Sequence, residues 1–290
     1  MLNVIFSFAD SDSQRRELVF DGAILFCSAT DESRSLCDGA REYVREAFGE
    51  LDPEHAQETM QVERFVEIVG PLKSRYTNAT TTKEHVRAFL LSLGVDPETT
   101  YFDVPRLRVV PHSNYLTAGV SYAYRAHRDT WYSGSPSQLN WWLPVWQVTP
   151  ARAMTFYPSY WERPVPNTSE DFDYDEWKRV GRVAARSQIK QDARKHPLPT
   201  QEFAPEEEFR YGAAVGDFLV FSAAHLHATA PNTSNATRYS IDFRTVNIDD
   251  LRRTRGAPNV DSRARGSTLG DFLRVKDFHP IEHCDAEEVA

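Results

Sequence analysis

The sequence predicts a mainly β protein with flanking α: a double-stranded β-helix (a jelly-roll, cupin-like architecture) with N-terminal helices and a helical insertion. Three observations lead there. From Tyr101 onward, β-branched and aromatic residues gather in short runs broken by Pro, Gly, Asn and Ser. Before Tyr101 the apolar residues recur at helical spacing instead. No internal repeat, heptad run or low-complexity tract interrupts the 290 residues. They read as one domain, 1–290, with a mainly helical part at about 1–100, a jelly-roll core at about 101–250 and a C-terminal extension at 251–290.

Taken in order, SLCDGAREYVREAFGEL aligns Leu36, Ala40, Tyr43, Val44 and Phe48 on one helical stripe. Thr82 reads as the N-cap and Gly94 as the C-cap of a second helix over KEHVRAFLLSLG. The runs LRVVP, GVSYAYRAHRD, LNWWLPVWQV, AMTFYP, FLVFSAAHLHA and RYSIDFRTVN read as antiparallel strands. Between Pro164 and Pro205 lies a polar insertion of helical composition and alternating charge, a solvated helix or a lid. From Arg252 onward the chain reads as exposed loop.

Composition excludes several functions. With 41% hydrophobic residues the chain can bury a core, and 33 basic against 42 acidic residues leave a net charge of −9. Such a field repels phosphate backbones and anionic lipid, so neither nucleic acid nor a membrane is expected as partner. No apolar run reaches the roughly 20 residues needed to span a bilayer, and the first residues lack a basic stretch before their short apolar piece. Cys27, Cys37 and Cys284 are odd in number and without ligand spacing, which fits reduced thiols in a cytoplasmic protein.

Candidate chemistry begins at His127-Arg128-Asp129. On a strand, residues two apart share a face, so the His127 imidazole and the Asp129 carboxylate converge and can supply two metal ligands. A hundred residues on, a strand-like run ends in Ala224-His225-Leu226-His227, which offers a third. Two histidines and one carboxylate on rigid strands leave three adjacent positions of a non-haem Fe(II) open for chemistry. Eleven residues beyond His227, Arg238 opens the alternating run Arg238-Tyr239-Ser240-Ile241-Asp242-Phe243-Arg244. Its polar face carries two guanidinium groups into the barrel, where each needs an anionic partner; Asp242 can satisfy one and leave the other for a ligand.

His127-x-Asp129, the run Gly216-Asp217-Phe218-Leu219-Val220-Phe221 leading to His227-Ala-Thr-Ala-Pro-Asn, and Arg238 together resemble the Fe(II)/2-oxoglutarate-dependent dioxygenases, closest to their phytanoyl-CoA dioxygenase-like branch. In that branch a metal-binding histidine opens an H-x-S/T-x-P-N segment with a 2-oxoglutarate-binding arginine eleven residues on. His227 meets both conditions and His225 does not. The resemblance thus implies Fe(II) on His127, Asp129 and His227, with 2-oxoglutarate on Arg238, aided by Thr229 and Ser240. It also implies O2 as second cosubstrate and oxidation of an unactivated C–H bond with release of succinate and CO2. The carboxylate Asp129 occupies the position that halogenating members leave vacant for chloride, so hydroxylation, desaturation or ring closure remains.

For the substrate, counting back by twos from His127 turns Arg125 toward the metal, and an interior cation favours an anionic group such as a carboxylate. Arg244, Trp131, Asn140 and His225 are further candidates for substrate contact. The expected substrate is a small, polar, carboxylate-bearing metabolite, an amino acid or derivative in natural-product biosynthesis. A lipid or acyl thioester, a catalytically silent cupin-like binding module and a zinc hydrolase are the competing readings. Neither of the last two requires an arginine at position 238.

Overall fold

In the computed structural model, which describes residues 3–6, 8–181 and 194–281, four helices precede most of the sheet. They are α1 (Asp12–Phe20), α2 (Asp31–Phe48), α3 (Val62–Asn78) and α4 (Thr80–Ser92), with β1 (Val4–Ile5) and β2 (Ile24–Cys27) among them. Helix α2 starts at a capping box in which Thr30 and Ser33 satisfy each other's backbone, and it ends at Gly49, whose φ is +63°. Leu36, Cys37, Ala40, Val44 and Phe48 form its buried face, with Tyr43 packed at the margin. Helix α4 begins two residues before the expected cap. Ala79, extended at φ −66° and ψ 134°, both ends α3 and opens α4, so Thr82 becomes a buried residue of the first turn. Gly94 follows the last turn at φ +74°, where an L side chain is strained.

The remaining strands are β3 (Thr100–Asp103), β4 (Arg106–Val110), β5 (Leu139–Pro144), β6 (Met154–Phe156), β7 (Phe218–Ser222), β8 (His227–Thr229), β9 (Arg238–Asn247) and β10 (Phe272–Arg274). The large sheet runs β1-β2-β7-β5-β9-β3-β10, and β4 pairs with the first half of β9. A small sheet, β6 with β8, is widened by single bridges, so that Phe209, Phe156, His227 and His127 lie side by side. This two-sheet arrangement is the predicted jelly roll.

Period-two alternation explains where the cores sit. Tyr239, Ile241 and Phe243 of β9, Leu139, Trp141 and Leu143 of β5, and Phe218 and Val220 of β7 bury against α2, α3 and α4. The intervening residues turn the other way. Trp142, Leu219 and Phe221 join a second cluster with Ile24 and Phe26, while Arg238, Asp242 and Arg244 line a cavity.

Two expectations are corrected here. The run GVSYAYRAHRD is not a strand: Gly119, at φ +59°, opens a 3-10 turn over Gly119–Ser121, and only His127 makes a ladder bridge. The C-terminal extension, which follows α6 (Ile248–Arg252), is not all loop, because a 3-10 turn at Leu269–Asp271 leads into β10 and β10 pairs with β3. In the insertion, α5 (Tyr174–Glu176) is a single turn capped by Asp173 and followed by a π-helical turn, Trp177–Gly181; the stretch 182–193 lies outside the described residues. Burial pushes the Cys27 and Cys37 thiols up to about 12, and Cys284 lies outside the described residues. Among the described residues no helix is long and apolar enough to cross a membrane.

Candidate metal centre and its cavity

The site is assembled by a backbone pairing. His127 and His227 exchange both N–H···O=C bonds, each 2.9 Å, which sets their rings on the same side of the small sheet with centroids 4.4 Å apart. Arg128 is extended, at φ −107° and ψ 145°, and Asp129 opens the 3-10 turn Asp129–Tyr132. That bend returns the Asp129 carboxylate to the two rings. Its Oδ1 lies 3.4 Å from His127 Nε2 and 3.8 Å from His227 Nε2. One ligand atom from each residue falls within 4.8 Å of the other two.

Supporting contacts fix the donor atoms. His127 Nδ1 donates to the Arg125 carbonyl at 2.8 Å and His227 Nδ1 to the His225 carbonyl at 2.9 Å, so both Nε2 lone pairs face the centre. Gln138 Nε2 donates to Asp129 Oδ2 at 3.2 Å and to Asn140 Oδ1 at 2.8 Å, leaving Oδ1 for the centre. Burial opposes the Asp129 charge, but the His127 and His227 rings beside it and the Arg244 guanidinium outweigh burial and hold the carboxyl well below its usual range. Burial, then neighbouring His127, pulls His227 down to about 4. A neutral imidazole beside an ionised carboxylate is the form that coordinates a divalent transition metal. Because Gln138 only orients a donor, Gln138→Ala is expected to weaken Ni(II) or Co(II) binding by about 10–100-fold without unfolding the protein, as measured by calorimetric titration.

Arg128, the residue between the first two donors, has a structural task that its sequence position does not announce. It is 1% exposed, pairs with Asp261 at 3.1 Å and donates to the carbonyls of Ala224, Tyr160 and Arg163. Trp131 donates its indole N–H to the same Asp261 at 2.7 Å. A carboxylate from the C-terminal extension thereby clamps the turn that carries Asp129.

A cavity of about 490 Å³ opens on the three donors. Arg238 lies in its wall, 3% exposed, with its guanidinium 5.9 Å from the Trp142 ring. Its Nη1 donates to the Arg152 carbonyl at 3.2 Å, its Nε has no partner, and among the described residues no carboxylate pairs with it. Burial, and then Arg108, pull it down to about 10 against the opposing effect of Asp242. Asp242 is committed elsewhere, gripping Arg108 through bonds of 2.5 and 2.9 Å, and Arg244 pairs with Asp103 at 3.0 Å. Of the arginines on the polar face of β9, Arg238 is therefore the one that lacks an internal acid. Thr229, across from Met154 in the small sheet, lines the same cavity. Ser240 is fully buried with an unpartnered hydroxyl, but it is not part of the cavity lining.

The structure divides the expected substrate residues. Asn140 and Arg244 line the cavity, and Asn140 Nδ2 has no partner. Arg125 does not line it: its side chain is exposed, because the segment before His127 is irregular and the counting by twos fails there. Trp131 is fully buried in a separate cluster with Tyr160 and Val165. His225 is a packed histidine outside the cavity. Its Nδ1 accepts from the Ser222 N–H at 3.1 Å, its Nε2 donates to the Gly22 carbonyl at 3.1 Å, and its ring lies 4.5 Å from Trp161. Burial pulls it down to about 3. His225→Ala is accordingly expected to cost about 2–3 kcal/mol of stability in urea unfolding while leaving metal affinity unchanged. Cavity residues that the sequence did not signal include Lys73 on α3, Arg108 on β4, Tyr124, and Trp177 and Arg194 on either side of 182–193. Nothing in their linear spacing points to one another; only the packing of α3 on β4 and the course of the insertion bring them together.

No protein-family model and no curated protein sequence matches the chain. Among solved structures, EvdO2 of Micromonospora carbonacea var. aurantiaca, crystallised with 2-oxoglutarate, aligns with a TM-score of 0.46 at 14% identity, over 83% of this chain and 92% of that one. The epimerase SnoN, in complex with Fe3+, α-ketoglutarate and nogalamycin RO, aligns with a TM-score of 0.42 at 14% identity, over 82% and 85% of the two chains. The non-haem monooxygenase ThoJ aligns with a TM-score of 0.40 at 12% identity, over 90% and 86%. At such identities these are likenesses of backbone course.

Proposed function

We propose that this chain is an Fe(II)- and 2-oxoglutarate-dependent oxygenase. The observation that carries the reading is the pairing, in one cavity, of a two-histidine, one-carboxylate donor set with a buried arginine that no carboxylate among the described residues pairs with. A buried guanidinium costs several kcal/mol unless an anion meets it, and a dicarboxylate that also reaches the metal would supply that anion. A metal-binding module needs no such cation. A zinc hydrolase needs a general base beside the metal, and Asp242, the only other carboxylate among the described cavity-lining residues, is held by Arg108.

In this reading His127, Asp129 and His227 hold Fe(II), with both imidazole tautomers already set by the carbonyls behind the rings. Arg238 pairs with the distal carboxylate of 2-oxoglutarate and Thr229 adds a hydroxyl, while Trp142, Met154 and Phe221 keep water from that pair. With O2, the bound iron and 2-oxoglutarate supply an oxidant able to attack an unactivated C–H bond, and succinate and CO2 are the co-products. Asn140 and Arg244 border the donors and orient the substrate. A volume of about 490 Å³ suits a metabolite of modest size. The cationic side chains in the lining, Lys73, Arg108 and Arg244 among them, favour a carboxylate-bearing compound, such as an amino acid derivative of natural-product biosynthesis, over an acyl chain.

The test is succinate formation from 2-oxoglutarate with purified protein, Fe(II) and O2, repeated with a panel of amino acids and derivatives. Substrate is recognised by stimulated succinate release and a product heavier by one oxygen or lighter by two hydrogens, which separates hydroxylation from desaturation or ring closure. Absence of Fe(II)-dependent succinate, with and without every panel member, contradicts the reading.

A further inference from the structure

The cavity wall formed by α3 and β4 holds more positive charge than its own acids neutralise. Lys73 and Thr77, one turn apart on α3, line it together with Arg106 and Arg108 of β4. Lys73 Nζ donates to the Val120 carbonyl, and among the described residues no carboxylate pairs with it. Asp242 is held in bidentate fashion by Arg108, and Asp103 is shared by Arg106 and Arg244. Lys73, Arg106, Arg108 and Arg244 thus have only Asp242 and Asp103 between them, in a chain whose net charge is −9. Burial, and then Arg108, pull Lys73 down to about 7, as expected of an ammonium held without a counter-ion. Beside Val120, Ser121 lines the same wall at 3% exposure with a hydroxyl that has no partner.

We infer that Lys73, supported by Arg106 and Arg108 and by the Ser121 hydroxyl, is an oxyanion subsite for the substrate, separate from the cosubstrate position at Arg238. The ladder places the β4 end of the subsite: Val110 lies across from Arg238 and Arg106 across from Asp242. Four residues of strand at about 3.3 Å each put Arg106 roughly 13 Å along β4 from the Arg238 position. The group recognised is a carboxylate or a phosphate. That it belongs to a substrate rests on the oxygenase reading; the subsite itself is tested without iron or turnover, so the two fail independently.

The experiment uses the metal-free full chain carrying Arg238→Met, which removes the other anion-binding group. Thermal midpoints are compared in sodium chloride, sodium phosphate and sodium acetate at equal ionic strength and pH. At about ten times its dissociation constant, a bound probe is expected to raise the midpoint by about 3 °C. Adding Lys73→Gln, which keeps a donor for the Val120 carbonyl, is expected to cut that rise below about 1 °C, and Lys73→Arg to restore it. A response to acetate as large as that to phosphate assigns the subsite to a carboxylate, and a response to phosphate alone assigns it to a phosphorylated substrate. No response in the Arg238→Met protein, or a response that survives Lys73→Gln, overturns the inference.

Discussion

Asp129→Ala is expected to abolish metal-dependent turnover of 2-oxoglutarate and to weaken Fe(II), Co(II) or Ni(II) binding by about 10³-fold or more, beyond the effect of losing a supporting partner. Asp129 is the one anionic donor, and its Oδ1 stands between two Nε2 atoms at 3.4 and 3.8 Å. Without it two neutral imidazoles remain, and the third donor of the face is lost. The fold should survive, because His127 and His227 are held by their own backbone bridge and by the carbonyls behind each ring. Calorimetric metal titration together with circular dichroism separates the two effects. A variant that folds and still binds metal within threefold of wild type contradicts the assignment.

The second large effect falls on the cosubstrate. Arg238→Met is expected to raise the dissociation constant for 2-oxoglutarate by about 10²–10³-fold, the usual scale for losing one partner of a buried charge pair. It should leave metal affinity unchanged. The ligand-free variant should be no less stable than wild type, because the substitution removes a cation that no acid among the described residues pairs with. Arg238→Lys should fall between the two, since an ammonium keeps the charge but not the planar fork. Fluorescence quenching is a direct readout, with Trp142 against the guanidinium. Unaltered 2-oxoglutarate affinity in Arg238→Met overturns the role.

Much of the architecture was legible because burial on one face leaves a period in the sequence. The α2 stripe and the alternating run RYSIDFRTVN stood out for that reason, while LRVVP and LNWWLP stood out as short β-branched and aromatic runs bounded by turn residues. β2, with the sequence ILFC, is buried along its whole length and so shows no alternation, while β10 is three residues long and is defined by its partner β3. At the site, His127, Asp129 and His227 were legible as a pattern, and the structure brings them together. Arg125 was misplaced because a strand was assumed where Gly119 starts a turn. Trp131 and His225 were misplaced because aromatic and imidazole groups fill cores as readily as they line pockets: one is fastened by Asp261 and the other by Gly22 and Ser222. Lys73 gave no local signal, since only the packing of α3 on β4 brings it to the cavity.

The most direct test of the central claim is anaerobic addition of Fe(II) and 2-oxoglutarate to the metal-free protein, recording the weak visible charge-transfer band of their chelate. The account predicts a band in wild type, its persistence in His225→Ala and its loss in His227→Ala. Absence of the band in wild type with verified iron loading, or its loss in His225→Ala with retention in His227→Ala, would contradict it.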